Sequence, residues 1–169
     1  MSITMYSASV PIFVRQLGCM SNWLDKGQAH AEARKYDPSL ILATRLTPDM
    51  LPLVSQIRIA SDTAKGCVAR LAGDEIPKFE DNEATLDDCR ERIRKTLAYV
   101  QSVPAQRLEG SGNREIVIPM RTRDPIRFDG HTYLRHWVLP NFMFHCTTAY
   151  ALLRHAGVEL GKADFLGAV

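Results

Sequence analysis

The sequence predicts an all-α protein, a four-helix bundle with a small β-hairpin between its third and fourth helices. Two observations carry this prediction: four long segments repeat their apolar residues at helical spacing, and one short β-prone stretch interrupts them. The segments do not alternate as strand, helix and strand, so a parallel sheet is not expected. A chain of 169 residues is predicted to form a single domain, residues 1–169, with a sizeable core.

The composition limits the function classes open to this chain. Hydrophobic residues make up 46% and charged residues 24%, with a net charge of +2 and basic residues spread along the chain, so no nucleic-acid partner is expected. No apolar run reaches the roughly 18 residues of a membrane span, and the N-terminus lacks a basic signal-peptide region. The four cysteines lie far apart without a CxxC pair, which predicts reduced thiols in a cytoplasmic protein.

The first two helices are bounded by local stop and start signals. Helical spacing begins near Met5 and extends toward Tyr36, after which the stretch "DPS" breaks the pattern. The second helix is predicted to start at Thr47 as N-cap, with Pro48 in the first helical position, because proline lacks the N–H that this position leaves unpaired. Gly73 suits the end of that helix.

The third helix begins with a capping-box variant and ends before Pro104. Thr85 is its N-cap, and Asp88 follows three residues later. One side of this helix is strongly charged, and we interpret it as a solvated face rather than a binding site; its residues are Arg90, Glu91, Arg92, Arg94 and Lys95.

A hairpin and a proline-interrupted helix complete the chain. The β-prone runs 116–119 and 126–128 flank an Arg/Asp/Pro turn and predict two short strands. The fourth helix is expected to run from residue 130 or 131 to about 156. It either kinks at Pro140 or restarts with Pro140 in its first turn, and Gly157 ends it.

Three polar side chains occupy consecutive inward positions of the fourth helix. Asn141, His145 and Thr148 follow the helical spacing of the buried face. Because a buried polar group without a partner costs about 1–3 kcal/mol, something inside the bundle must satisfy them. From spacing alone, His145 is either a structural, hydrogen-bonded histidine or a contact to a metal or substrate.

The stretch "HCTTAYALLRHAGVELGKADF" resembles the last helix of the DinB-like superfamily. The N-terminal "SITMYSASVPIFVRQLGCMSNWLDKGQAHAE" resembles, more narrowly, a bacterial subgroup of it that is a domain of unknown function. The resemblance implies a four-helix bundle, often dimeric, in which many members bind a divalent metal through three histidines. Two of these come from an HxxxHxxQ motif in the last helix and one from the second helix.

Carried over by position, His145 matches the second histidine of that motif, Asn141 the first and Thr148 the glutamine. The second helix contains no histidine, and Gln56 is the best match to the third ligand. One imidazole with two neutral carboxamides is a poor ligand set for zinc, nickel or manganese. Asp62, Cys67 and Cys146 are the other candidate ligands. Asp62 lies off the inward stripe of the second helix, and Cys146, next to His145, points about 100° away from it around the fourth helix.

Two classes of function follow from this resemblance. The chain is predicted to be a non-catalytic or weakly metal-dependent small-molecule-binding homodimer, with a pocket between the second and fourth helices. The residues expected to line this pocket are Gln56, Asn141, His145 and Thr148. The alternative is a metal-dependent, transferase-type enzyme that uses His145 as a ligand to zinc, nickel or manganese.

Overall fold

The computed structural model describes residues 3–120, 122 and 124–167. It confirms the all-α bundle and the hairpin. Among these residues no helix combines the length and apolar character needed to cross a bilayer. The elements are α1 Val10–Ala33, α2 Leu53–Ala72, α3 Leu86–Ser102, β1 Glu115–Ile118, β2 Ile126–Asp129, α4 Gly130–Thr132, α5 Leu139–His155 and α6 Lys162–Leu166, with 3₁₀ turns at Pro38–Ala43, Ala105–Leu108 and Ser111–Asn113 and a π-helical segment at Tyr133–Val138.

The four long helices form a closed ring around one apolar core. Helix α2 packs on α3 and α5, and α1 packs on the same two helices. Aromatic contacts fix the seam between α1 and α5, because the Phe13 and Phe142 rings meet edge to face with centroids 4.9 Å apart. The inward face of α5 is therefore held against both α1 and α2.

The hairpin pairs its strands in antiparallel register. Ile116 lies opposite Phe128, and Ile118 lies opposite Ile126. Both β1 isoleucines are buried, so the hairpin packs on the bundle rather than standing alone. Arg121 and Arg123, in the predicted turn, lie outside the described residues.

The last long segment is continuous, and a π-helical stretch accommodates its proline. Residues Tyr133–Val138 are π-helical, and Pro140 falls in the first turn of α5. The N–H of Leu139 donates to the carbonyl of Leu134, five residues back, so the widened turn makes room before the proline ring. Pro140 thus lies in the first turn of an α-helix, as one of the two predicted outcomes had it, but no break precedes that helix, because Val138 and Leu139 keep helical dihedrals. At the other end, Gly157 has φ +92°, which is the left-handed conformation expected of the terminating glycine.

The predicted starts of α1 and α2 were wrong. Residues 5–9 form turns, and α1 begins at Val10. Helix α2 begins at Leu53 instead of at Thr47, because Pro52 takes an extended conformation with φ −70° and ψ 169° and disfavours helix in the residue before it. The Thr47 hydroxyl donates to the Asp49 carboxylate at 2.6 Å and caps nothing.

Helix α3 has the predicted capping box, but its charged face is only partly solvated. The Thr85 hydroxyl accepts from the Asp88 amide at 3.1 Å, and the Asp88 carboxylate accepts from the Thr85 amide at 2.9 Å. Arg92, predicted to be exposed, is 3% exposed. The chain between α2 and α3 folds back over Arg92, whose guanidinium donates to Glu83 at 2.7 Å and to Asp62 at 2.8 Å.

Candidate functional site

His145 and Gln56 meet between α5 and α2. The Nδ1 atom of His145 lies 2.7 Å from Oε1 of Gln56, in a buried hydrogen bond that joins residues 89 positions apart. Both side chains are almost fully buried, with exposures of 8% for His145 and 2% for Gln56. Sequence reasoning paired these two positions only by analogy, and the structure brings them into direct contact.

The second hydrogen bond of Gln56 fixes the tautomer of His145. The amide nitrogen of Gln56 donates to the Leu51 carbonyl at 2.9 Å, so the amide oxygen is the atom that faces the imidazole. An amide oxygen only accepts, and Nδ1 must therefore carry the proton and donate. In the neutral ring this leaves the lone pair on Nε2.

Nε2 of His145 has no hydrogen-bond partner among the described residues. This nitrogen still touches solvent, since it is not among the sealed, unpartnered polar atoms. Burial lowers the pKa of His145 from its usual value of 6.5, so the ring is neutral at pH 7. The site thus presents one hydrogen-bond acceptor that solvent can reach, on an imidazole that is otherwise buried.

Asn141 and Thr148 share the face of α5 but do not contact His145 through hydrogen bonds. The amide of Asn141 donates to the Thr63 hydroxyl at 3.0 Å, a partner on α2 that sequence reasoning missed. The Thr148 hydroxyl donates to the carbonyl of Phe144 at 2.8 Å, one turn back in its own helix. The three inward polar residues therefore bond to separate partners and do not form one connected network.

The side chains near His145 do not fit a tight transition-metal site. Within the described ranges, no group of three or more histidine, cysteine, aspartate or glutamate side chains is arranged to hold a metal ion. Gln56 bonds to Nδ1 and so orients the ring rather than sharing a metal with it. Asp62 pairs with Lys65 at 2.6 Å, and burial raises the pKa of the Cys67 and Cys146 thiols.

Two exposed apolar residues adjoin the His145–Gln56 pair. The Phe144 ring meets the His145 ring edge to face with centroids 5.2 Å apart, and Phe144 is 56% exposed. Leu51, whose carbonyl holds Gln56, is 47% exposed.

Fold and sequence together place the chain among the DinB-like four-helix bundles. A crystal structure of a DinB family member from Shewanella denitrificans is similar to it, with a TM-score of 0.88 and 37% identity over 97% of this chain and 92% of that one. The chain belongs to the family described as a domain of unknown function, DUF1993, whose model matches residues 5–166. No curated protein matches it.

Proposed function

We propose that this protein binds a small molecule through Nε2 of His145 and that it does so without a tightly bound metal. One observation carries the proposal: a nine-tenths buried imidazole is oriented by Gln56 so that its lone pair has no hydrogen-bond partner within the described part of the chain. Because Nε2 reaches solvent, water is the group that can bond to it, and a ligand that donates a hydrogen bond would take the place of that water. The exposed ring of Phe144, which contacts the His145 ring, offers apolar surface for a small organic ligand.

Nitrogen NMR of histidine-labelled protein tests this proposal. Wild type is expected to show Nε2 without a proton, and a bound donor is expected to shift the Nε2 resonance in a fragment screen. His145→Ala removes the effect, whereas His155→Ala, an exposed histidine in the same helix, leaves it intact. The proposal fails if no fragment perturbs His145, or if His155→Ala abolishes binding as completely as His145→Ala.

A metal-dependent transferase is the second candidate, and the Gln56 contact favours it in one respect. Metal-bound histidines usually donate their other ring N–H to an oxygen acceptor, which is the arrangement of His145 and Gln56. Metal analysis of tag-free protein separates the candidates. Stoichiometric metal that is lost in His145→Ala supports the transferase. Protein that is metal-free and also ignores added zinc, nickel and manganese contradicts it.

We also propose that the protein is a homodimer, as the resemblance to DinB-like bundles implies. Light scattering coupled to sizing chromatography measures this directly, and a mass equal to one chain at all concentrations would contradict it.

A further inference from the structure

A separate cleft lies between the C-terminal half of α2 and the chain that follows it. It has a volume of about 360 Å³ and lies against Gly66 of α2. Three basic side chains and one acidic side chain line it, together with the ring of Phe79; the charged ones are Asp62, Lys65, Arg70 and Lys78.

The positive charges of this cleft are only partly compensated. Asp62 is the single carboxylate, and it is shared between Lys65 at 2.6 Å and Arg92 at 2.8 Å. Arg70 donates to the Tyr133 hydroxyl at 3.2 Å, which carries no opposing charge. Lys78 has no ion-pair partner in the part of the chain that the structure describes. The lining therefore holds an excess of two positive charges.

One of these cations, the ammonium group of Lys65, is buried. Lys65 is 4% exposed, and its ammonium nitrogen lies 4.0 Å from the centroid of the Phe79 ring. Burying an ammonium group is costly unless charge and hydrogen bonds compensate it. Asp62, which Lys65 shares with Arg92, and the face of the Phe79 ring supply part of that compensation. An anion bound in the cleft would supply more.

Gly66 allows Arg70 to lie along the wall of the cleft. A Cβ atom added at Gly66 would stand 2.7 Å from Nη1 of Arg70. Any larger residue at this position would push the guanidinium aside. Glycine in the interior of a helix costs about 1 kcal/mol relative to alanine. At this position that cost is accompanied by a gain, because glycine leaves space for the Arg70 guanidinium.

We propose that this cleft binds a small phosphate-bearing anion. A phosphate group carries a charge of about −1.5 to −2 at neutral pH, which matches the excess of two positive charges, and its oxygens accept from both arginine and lysine. The cleft is larger than a phosphate group, and Phe79 offers an apolar surface for the organic part of the ligand. This site is independent of His145.

Titration with inorganic phosphate, phenyl phosphate and benzoate at low ionic strength tests the proposal. Phenyl phosphate is expected to bind most tightly and to shift the backbone resonances of residues 62–66 and 76–79. Lys78→Gln should weaken it about tenfold, as loss of a charged hydrogen bond does. Lys95→Gln removes an exposed positive charge from the neighbouring α3 surface and should leave affinity unchanged.

Gly66→Ala gives a second variant that keeps the fold. It should keep the melting temperature close to that of wild type, because the better helix propensity of alanine offsets the loss of the Arg70–Tyr133 hydrogen bond. It should still weaken the binding of phenyl phosphate by displacing Arg70. The proposal is overturned if neither phosphate compound binds, if benzoate binds as tightly as phenyl phosphate, if Lys95→Gln costs as much as Lys78→Gln, or if Gly66→Ala binds as wild type does.

Discussion

Burial decides the protonation of His145, and it makes the stability of the protein depend on pH. Burial lowers the pKa of His145 below its unfolded value of 6.5. Between the two pKa values the unfolded chain binds the extra proton, so the free energy of unfolding should fall as pH drops below about 6.5. Denaturant unfolding of wild type and His145→Gln across this range measures it. The two proteins should diverge on acidification, and parallel curves would contradict the assignment.

Replacing the partner of His145 with a carboxylate should weaken that pH dependence. In Gln56→Glu a carboxylate stands where the amide oxygen lies 2.7 Å from Nδ1. An opposite charge favours the imidazolium, so the pKa of His145 should rise above that of wild type, and the acid-side loss of stability should shrink or vanish. A histidine titration followed by NMR gives the pKa directly. Gln101→Glu, which is exposed on α3, is the matched control and should leave it unchanged.

Arg92 shows how much one buried cation stabilises the α2–α3 connection. Its guanidinium bonds to Glu83, whose side chain is 6% exposed, to Asp62 and to the Glu80 carbonyl. Arg92→Ala would leave a buried carboxylate with less compensation and should lower the free energy of unfolding by about 3 kcal/mol. Arg94→Ala, two residues on and 68% exposed, should have little effect. Equal losses in the two variants would contradict the structural account.

At the scale of elements, the start of α3 depends on its capping box. The Thr85 hydroxyl accepts from the Asp88 amide, an N–H group that the helix itself cannot satisfy. Thr85→Ala should therefore cost about 1 kcal/mol in denaturant unfolding. Thr147→Ala is the control, because Thr147 is exposed within α5, where alanine favours the helix. A cost at Thr147 as large as that at Thr85 would argue against capping as the cause.

Helix boundaries were predictable where local chemistry alone decides them. Thr85 and Asp88 satisfy each other within four residues, and Gly73 takes φ +77° at the end of α2, so both were readable from sequence. The start of α2 was not, because two prolines compete and only the fold brings the Thr44 carbonyl to the Leu53 amide. The same holds for Arg92, whose burial depends on a connection that folds back from outside its own helix.

At the scale of the whole molecule, the candidate site was half predictable. His145 stood out because helical spacing places it inward, but spacing carries no information on which α2 residue faces it. The contact between Gln56 and His145 depends on how far α2 and α5 are shifted along each other, and these helices are separated by a long stretch of chain. The residues that line the cleft proposed to bind phosphate all lie within 62–79, but only the way the chain after α2 folds back against that helix brings them together.

Helix α6 packs against the middle of α1, and the contact between them leads to a prediction about stability and fluorescence. In α6, Phe165 stacks on Trp23 of α1 with ring centroids 5.5 Å apart, and the Trp23 indole donates to the Asp164 carbonyl at 2.9 Å. Phe165→Ala should lower the free energy of unfolding by about 2 kcal/mol, since a partly buried aromatic contact is lost. It should also shift Trp23 fluorescence to longer wavelength as water reaches the indole.

The neighbouring residue provides the control. Leu166 is 49% exposed, so Leu166→Ala should change neither quantity appreciably. Both variants are measured in a Trp137→Phe background, which leaves Trp23 as the only tryptophan. If Phe165→Ala keeps the wild-type emission, α6 does not cover Trp23 in solution. If Leu166→Ala destabilises equally, α6 contributes through the helix as a whole rather than through the stacked ring.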